Sequence, residues 1–486
     1  MASGSSSSSS SSASPSSRRR HFIIVGSGVY GASTALTLVR LGHRVTVLER
    51  SRDGYAAHDS ASNDYNKIIR SDYSNPHYRH LAELAIQEWR DSPLLSRYYH
   101  ETGFVLASRF NQEEGRKYVD SCLSREQLAG SQRRPYEIKG QEGIARAFPS
   151  ASHAHLGTTI KGLGETALGY ANPLGGWAEA ANATNAVLDE AVRLGADVFG
   201  GIEMAGLILE KDSTGRPCAK GVTTSDGQSF EADTVILAPG SWLSSLLKTC
   251  LPHDQMWHSL PHGPLRPSGQ VVMTLQLDSA SRARYANAPV VLDYSTGFYV
   301  FPPNADGIVK CAIHGPGFRF PAPGAYSPTM PTYGSSGGAA SIAPGSLLSI
   351  GSEWRGQLQP LEHIPEDTET LLRSLLHDIY PELATIPNSE RRVCWYADSS
   401  SLDENWLLDW HPRVGNLFLA GAGSGHGFKF LPCMGDIVAE RMGLAQPSKW
   451  TSEENPWKQH QERVWTLQYR EEVAQKGKAK EVRARL

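Results

Sequence analysis

Gly26, Gly28 and Gly31 stand in the spacing G-x-G-x-x-G, and an acid, Glu49, follows 23 positions after the first of them. Together these residue types can hold a dinucleotide. Gly26 allows a tight turn, Gly28 lets backbone approach a pyrophosphate, and Gly31 lets a helix pack closely on a strand, while free N–H groups at the helix N-terminus face the anion. Glu49 is placed to accept the ribose hydroxyls of an adenosine. Ser27, Val29 and Tyr30 fill the turn and Arg50 follows the acid. A glycine pattern alone is weak evidence, so its value rests on the elements around it.

Those elements are legible. Phe22-Ile23-Ile24-Val25 is a continuous apolar run, the look of a strand buried on both faces of a parallel sheet. Ala32, Ala35, Leu36, Leu38 and Val39 suit a helix ending near Gly42, and Val45, Val47 and Leu48 a second strand closed by Glu49. A helical region around Ala178 to Leu194 leads into strand-like pieces at 196–199, 206–209 and 234–237, so distant segments complete the sheet. The last piece ends in Ala238-Pro239-Gly240-Ser241-Trp242, a second small-residue turn. From Leu265 to Ile313 the texture changes: Val271, Met273 and Leu275 alternate with Thr274 and Gln276, which reads as antiparallel sheet. Residues 315–349, rich in Gly, Pro and Ser, read as a long loop, either a solvated linker or a lid.

Composition sets the outer limits. With 47 basic and 50 acidic residues the net charge is −3, which gives no basic face for nucleic acid. A 40% hydrophobic fraction with 11 Trp, 18 Tyr and 13 Phe can fill a large core. No apolar run approaches the roughly 20 residues of a membrane span, so a soluble chain without a membrane partner is expected. Cysteines 122, 218, 250, 311, 394 and 433 include no C-x-x-C pair, which argues against a disulfide scaffold or a metal site. Residues 1–20, with the tract Ser5 to Ser12 and Arg18 to Arg20, cannot bury enough apolar surface to order and read as a disordered tail.

The glycine motif does not separate FAD from NAD. Further segments narrow the choice: Ser62-Asn63-Asp64-Tyr65-Asn66-Lys67-Ile68-Ile69-Arg70, Gly307-Ile308-Val309-Lys310, Cys394-Trp395-Tyr396-Ala397-Asp398, Leu407-Leu408-Asp409-Trp410-His411-Pro412, and GSGHGFKFLP ending at Pro432. With these, the chain from about His21 to Gly443 resembles the FAD-dependent amine oxidases of the monomeric sarcosine oxidase family. Within that family it resembles the fungal branch of fructosyl amino acid oxidases (amadoriases) and saccharopine or pipecolate oxidases. The implied fold is α/β, a Rossmann-type FAD-binding domain carrying an inserted mixed or antiparallel-sheet substrate domain, as in glutathione-reductase-like FAD proteins. The division read from the chain gives 21–98, 171–262 and 391–445 to the FAD part and 99–170 and 263–390 to the substrate part. Residues 446–486 are left as a C-terminal tail.

The resemblance implies FAD joined covalently through Cys394 to the flavin 8α carbon. Arg392, two positions away on a strand, should share a side with Cys394 and favour its thiolate. Lys310 matches the lysine that activates oxygen, although Val309 and Cys311 beside it do not settle which face it takes. Arg70 and Lys429 match the pair that holds a substrate carboxylate, a bidentate guanidinium beside a point-charge ammonium. Lys67 stands where sarcosine oxidases carry a second arginine near the flavin. Ser62, Asn63, Gly240, Gly425, His426, Gly427 and Phe428 are expected against the cofactor; His426 reads as a turn or flavin-edge residue and His411 as structural.

The implied reaction takes a secondary amine, an N-substituted or cyclic amino acid, and O2 to an imine and hydrogen peroxide. GAGSG replaces a texture common in fructosyl oxidases, which places deglycation second. A flavin dehydrogenase serving a protein partner is a third reading. Ala484-Arg485-Leu486 resembles a peroxisomal targeting tripeptide read by an import receptor. A peroxisomal monomer is expected, or otherwise a cytoplasmic one.

Overall fold

The computed structural model describes residues 19–109, 112–123, 134–315, 366–400, 403–452 and 455–485. The serine tract, residues 316–349 of the expected loop, and Leu486 of the terminal tripeptide lie outside the described residues.

Strand β1 (His21–Val25), helix α1 (Val29–Arg40) and strand β2 (Arg44–Glu49) form as the apolar pattern predicts. They sit in a six-stranded sheet whose order is Leu407–Trp410, Leu417–Gly421, Thr234–Leu237, β1, β2, Asp197–Gly200. Every neighbour pairs in parallel except the edge strand Leu407–Trp410, which is antiparallel. Burial on both faces explains the unbroken apolar runs, since Phe22, Ile23, Ile24, Val235, Ile236 and Leu237 are all fully buried. β1 is flanked by β2 on one side and by a strand some 200 residues distant on the other. Strand order therefore reverses at the carboxyl end of β1, where open α/β sheets leave a crevice for ligands.

A second, eight-stranded sheet runs Asn388–Ser399, Leu265–Gln276, Ile308–Ile313, Phe298–Val300, Val290–Asp293, Phe104–Ser108, Leu168–Asn172, Tyr136–Glu137. It is antiparallel apart from the parallel pair Val290–Asp293 with Phe104–Ser108. Alternation along Leu265–Gln276 divides two buried faces. Val271, Met273 and Leu275 join a core that includes Leu372 and Leu376 of helix Glu366–Ile379, whereas Val272 packs on the other side with Cys394 and Tyr396. Boundaries drawn at 391 and at 170/171 each fall inside a strand of this one sheet, Asn388–Ser399 and Leu168–Asn172.

A small sheet joins the two: β3 (Lys67–Ile69) pairs with Gly176–Ala178, which also pairs with Tyr99–His100. The segment after residue 445 is not a loose tail. Trp450, Trp465, Leu467 and Arg470 are buried, and the Arg470 guanidinium donates to the carbonyls of Pro264 (3.1 Å) and Asn405 (2.7 Å), tying the last helix to the loop before Leu407–Trp410. Two tryptophans, a leucine and a buried, hydrogen-bonded arginine give that segment the apolar burial and hydrogen bonds that a tail lacks.

Candidate active site

At the turn after β1, Gly26 adopts φ +100°, and a Cβ there would lie 2.5 Å from the Ala238 carbonyl oxygen. A Cβ on Gly31 would sit 1.8 Å from the Gly26 carbonyl oxygen, which is why helix and strand can close there. Gly28 answers to a side chain: its Cβ would meet Ser62 Oγ at 2.7 Å, and that hydroxyl accepts the Val29 N–H at 3.0 Å, capping α1. The Glu49 carboxylate accepts from Ser27 N and Ser27 Oγ at 3.0 Å and from Ser51 N at 3.0 Å, so it is fixed at the tip of β2. Arg50 pairs with Asp59 and lies over the Trp242 ring at 4.2 Å.

From these residues a cavity of about 510 Å³ runs past Gly26, Glu49, Trp242 and Gly240 to Lys67, Tyr396, Gly425 and Phe428. Among the described residues the buried Tyr30 and Ser241 hydroxyls, on residues lining it, have no hydrogen-bond partner. A long cleft with a glycine turn and fixed acid at one end, the Lys67 ammonium at the other and orphan hydroxyls between fits a dinucleotide. Ser27, Asn63, Cys394, His426 and Lys429 stand behind this lining rather than in it.

At the far end the two sheets bring three cations onto one carboxylate. Lys310 points away from Val309 and Cys311, is fully buried, and donates from Nζ to Asp64 Oδ2 at 2.6 Å and to the Asn66 carbonyl at 2.7 Å. Lys67 Nζ reaches the same Oδ2 at 2.5 Å, and Arg392 donates to Oδ1 at 2.9 Å. Burial works against the Asp64 anion, but the three cations together hold its carboxyl well below the usual range. Burial likewise opposes charge on Lys67, and Asp64 overcomes it, keeping that ammonium above its ordinary value. For Lys310 burial wins, helped by Lys67 and opposed by Asp64, and its pKa falls to about 8.

Cys394 Sγ sits between the Ser60 carbonyl (3.7 Å) and Lys67 Nζ (3.8 Å). Arg392 is committed elsewhere, to Asp64 and, at 2.6 Å each, to the carbonyls of His58 and Asn63. The cation in contact with the thiol is therefore Lys67. Sequence proximity pointed to Arg392 because a residue two along a strand shares a side; it could not show how its charge is spent.

Arg70 and Lys429 converge on Tyr73. The Arg70 guanidinium lies 5.3 Å from that ring and donates to Tyr118 Oη at 3.1 Å, and Lys429 Nζ lies 4.7 Å from the ring and donates to its hydroxyl. Burial first, and the Arg70 charge second, push the Lys429 amine well below its usual range. The Trp89 indole fixes the Lys429 carbonyl at 2.7 Å. Tyr118 stacks on Tyr294 at 4.6 Å, and Tyr294 is 39% exposed, so an aromatic wall rises beside Arg70. His314 presents its ring to the same region, 6.0 Å from Tyr396 and against Gly425, whose Cβ would strike it at 2.4 Å.

His426 is packed among Tyr73, Tyr78 and Trp406, and its Nε2–H donates to the Glu404 carbonyl at 2.8 Å. Burial and Lys429 lower its pKa to about 3, so the ring is neutral and holds the loop at Glu404, which has φ +59°. His411 is also buried and neutral, accepting the Val414 N–H at Nδ1 (3.1 Å), as a structural residue should. Asp64, Tyr73, Tyr118 and His314 escaped assignment from sequence. Asp64 and Tyr73 lie in or beside a segment already quoted, but Lys310 and Arg392 on the one and Lys429 on the other come from elements hundreds of residues away.

The FAD dependent oxidoreductase family matches residues 21–441. L-saccharopine oxidase of Schizosaccharomyces pombe is 29% identical over 430 residues, covering 86% of this chain and 89% of that one. Amino acid oxidase imqH of Aspergillus flavus is 28% identical over 491 residues, covering 90% and 96%. Among solved structures, the deglycating fructosamine oxidase Amadoriase II of Aspergillus fumigatus superposes with a TM-score of 0.71 at 27% identity, covering 94% of this chain and 91% of that one.

Proposed function

The chain belongs to the FAD dependent oxidoreductase family, and from that premise we propose that it oxidises the C–N bond of a secondary-amine amino acid with O2 as acceptor. The observation that carries this reading is the convergence of Arg70 and Lys429 on Tyr73, near the end of the cleft where Cys394 and Lys310 lie. A bound FAD supplies acceptance of two electrons from the substrate and their delivery to O2. Glu49, Ser62, Gly240, Gly425, Gly427 and Phe428 would hold it.

Arg70 and Lys429 bind the substrate carboxylate. Burial and Arg70 depress the Lys429 amine despite the opposing charges of Asp72 and Glu404, and an entering carboxylate adds the counter-charge that favours its ammonium. The same clustered positive charge disfavours protonation of the substrate nitrogen, which must be neutral to be oxidised. The amine loses two electrons and two protons to become an imine, O2 gains both to become hydrogen peroxide, and the imine hydrolyses or is trapped internally. Lys310 is the fixed cation that favours negative charge developing on oxygen. Lys67, protonated and 3.8 Å from Cys394 Sγ, is the cation in contact with the sulfur through which a covalent link to FAD would form. The peroxisomal address read at Ala484-Arg485-Leu486 fits a peroxide product.

Anaerobic titration of the yellow protein with saccharopine, pipecolate, fructosyl amino acids, sarcosine and N-methyl aromatic amino acids tests the proposal. Bleaching by one class, reversed by air with one peroxide per turnover, is the expected result and names that class. Bleaching without peroxide points to a dehydrogenase, and no bleaching by any amino acid defeats the proposal.

A further inference from the structure

The geometry points to Asp64 as a positioning residue that sets the charge state of Lys310 and so governs reaction with oxygen. The inference rests on the oxygen reading of Lys310 given above.

Asp64 is 2% exposed overall with a fully buried carboxylate, and both of its oxygens are committed. Oδ2 takes Lys67 (2.5 Å) and Lys310 (2.6 Å), and Oδ1 takes Arg392 (2.9 Å) and the Tyr65 N–H (2.9 Å). Among the described residues, Asp64 is the one carboxylate that pairs with either lysine. Three buried cations thus share one anion. The remaining groups facing Lys310 cannot replace it. They are the Asn66 carbonyl at 2.7 Å, the Phe301 and Tyr299 rings at 4.8 and 5.8 Å, the Cys394 thiol, the Lys67 ammonium and, in register on the neighbouring strand, Thr274.

Burial and Lys67 drive Lys310 toward the neutral amine, and the principal opposing charge is Asp64. The carboxylate is also divided: what Arg392 draws from it is unavailable to the two lysines. Weakening Asp64 should make Lys310 neutral at lower pH, and removing the competitor Arg392 should do the reverse.

The experiment uses the flavin-loaded full chain. Protein labelled with 13C at lysine Cε is titrated by NMR, with Lys310→Met assigning the resonance, and stopped-flow reoxidation by O2 is followed over the same pH range. Asp64→Asn should move the Lys310 midpoint acid by about one unit or more and slow reoxidation about twofold near neutral pH and roughly tenfold above pH 9, with the rates converging in acid. Arg392→Gln should move the midpoint the other way, and Asp64→Glu should restore much of the original value. A Lys310 midpoint that stays put in both Asp64→Asn and Arg392→Gln overturns the inference; if Asp64→Asn does not fold, Arg392→Gln alone decides. Normal reoxidation in Lys310→Met would instead remove the oxygen reading, while the NMR midpoints still judge Asp64.

Discussion

Gly31→Ala should cost the protein both stability and bound cofactor. The added Cβ would stand 1.8 Å from the Gly26 carbonyl oxygen and 2.9 Å from its carbon, where side chains essentially never approach closer than 3.0 Å. Relief needs a displacement of at least 3.0 − 1.8 = 1.2 Å between α1 and the turn after β1. Neither can yield cheaply. Gly26 is held by its N–H to the Leu48 carbonyl at 2.8 Å, and α1 is backed by Gly435, where the space between the helices is already closed to a Cβ that would lie 2.0 Å from the Ser33 carbonyl oxygen. Overpacking costs typically 1–3 kcal/mol, and a clash between two backbone segments belongs at or above the top of that range, about 3 kcal/mol. Gly28→Ala is the control. Its Cβ meets a single hydroxyl, Ser62 Oγ, at 2.7 Å, which can rotate away at the loss of the Val29 hydrogen bond, about 1 kcal/mol. Urea unfolding gives the stability difference, and flavin absorbance per polypeptide gives the occupancy. Gly31→Ala at full occupancy and within about 0.5 kcal/mol of the parent would refute the packing argument.

Lys310→Met should leave anaerobic reduction intact and slow reoxidation by up to about 10³, since a unit charge at about 4 Å in an effective dielectric of about 20 is worth about 4 kcal/mol. Because the depressed Lys310 is cationic below about 8 and neutral above it, the parent's reoxidation rate should fall as pH rises through that value; a flat or rising stopped-flow profile contradicts the role. Cys394→Ala should release all yellow colour on acid precipitation while the parent keeps it in the pellet, and a colourless parent pellet ends the covalent reading. Arg70→Met should raise KM for carboxylate substrates about a hundredfold and spare the matching decarboxylated amine; equal losses on both would mean that Arg70 supports the fold instead.

Local rules carried the nucleotide end. The run Phe22 to Val25, the three glycines and Glu49 lie within 30 residues, and their jobs are set by backbone sterics and helix geometry that any such stretch obeys. Family resemblance added the identities of Lys67, Arg70, Lys310, Cys394 and Lys429. How those side chains share charge was decided by the tertiary structure alone. Lys310 on its strand has two possible faces, and the choice follows from which face of the Ile308–Ile313 strand meets the Asp64 loop. Arg392 and Cys394 share a side as strand periodicity requires, yet the guanidinium goes to Asp64, and Lys67, which also pairs with Asp64, is the cation that reaches the thiol. The C-terminal segment, charged in sequence, is anchored because Trp465 and Arg470 find a core and two carbonyls contributed by loops 60 to 200 positions upstream. Electrostatics and packing in a buried site depend on distance in space, and side chains that meet across more than 300 residues, as Arg392 and Asp64 do, leave no trace of that distance in local sequence.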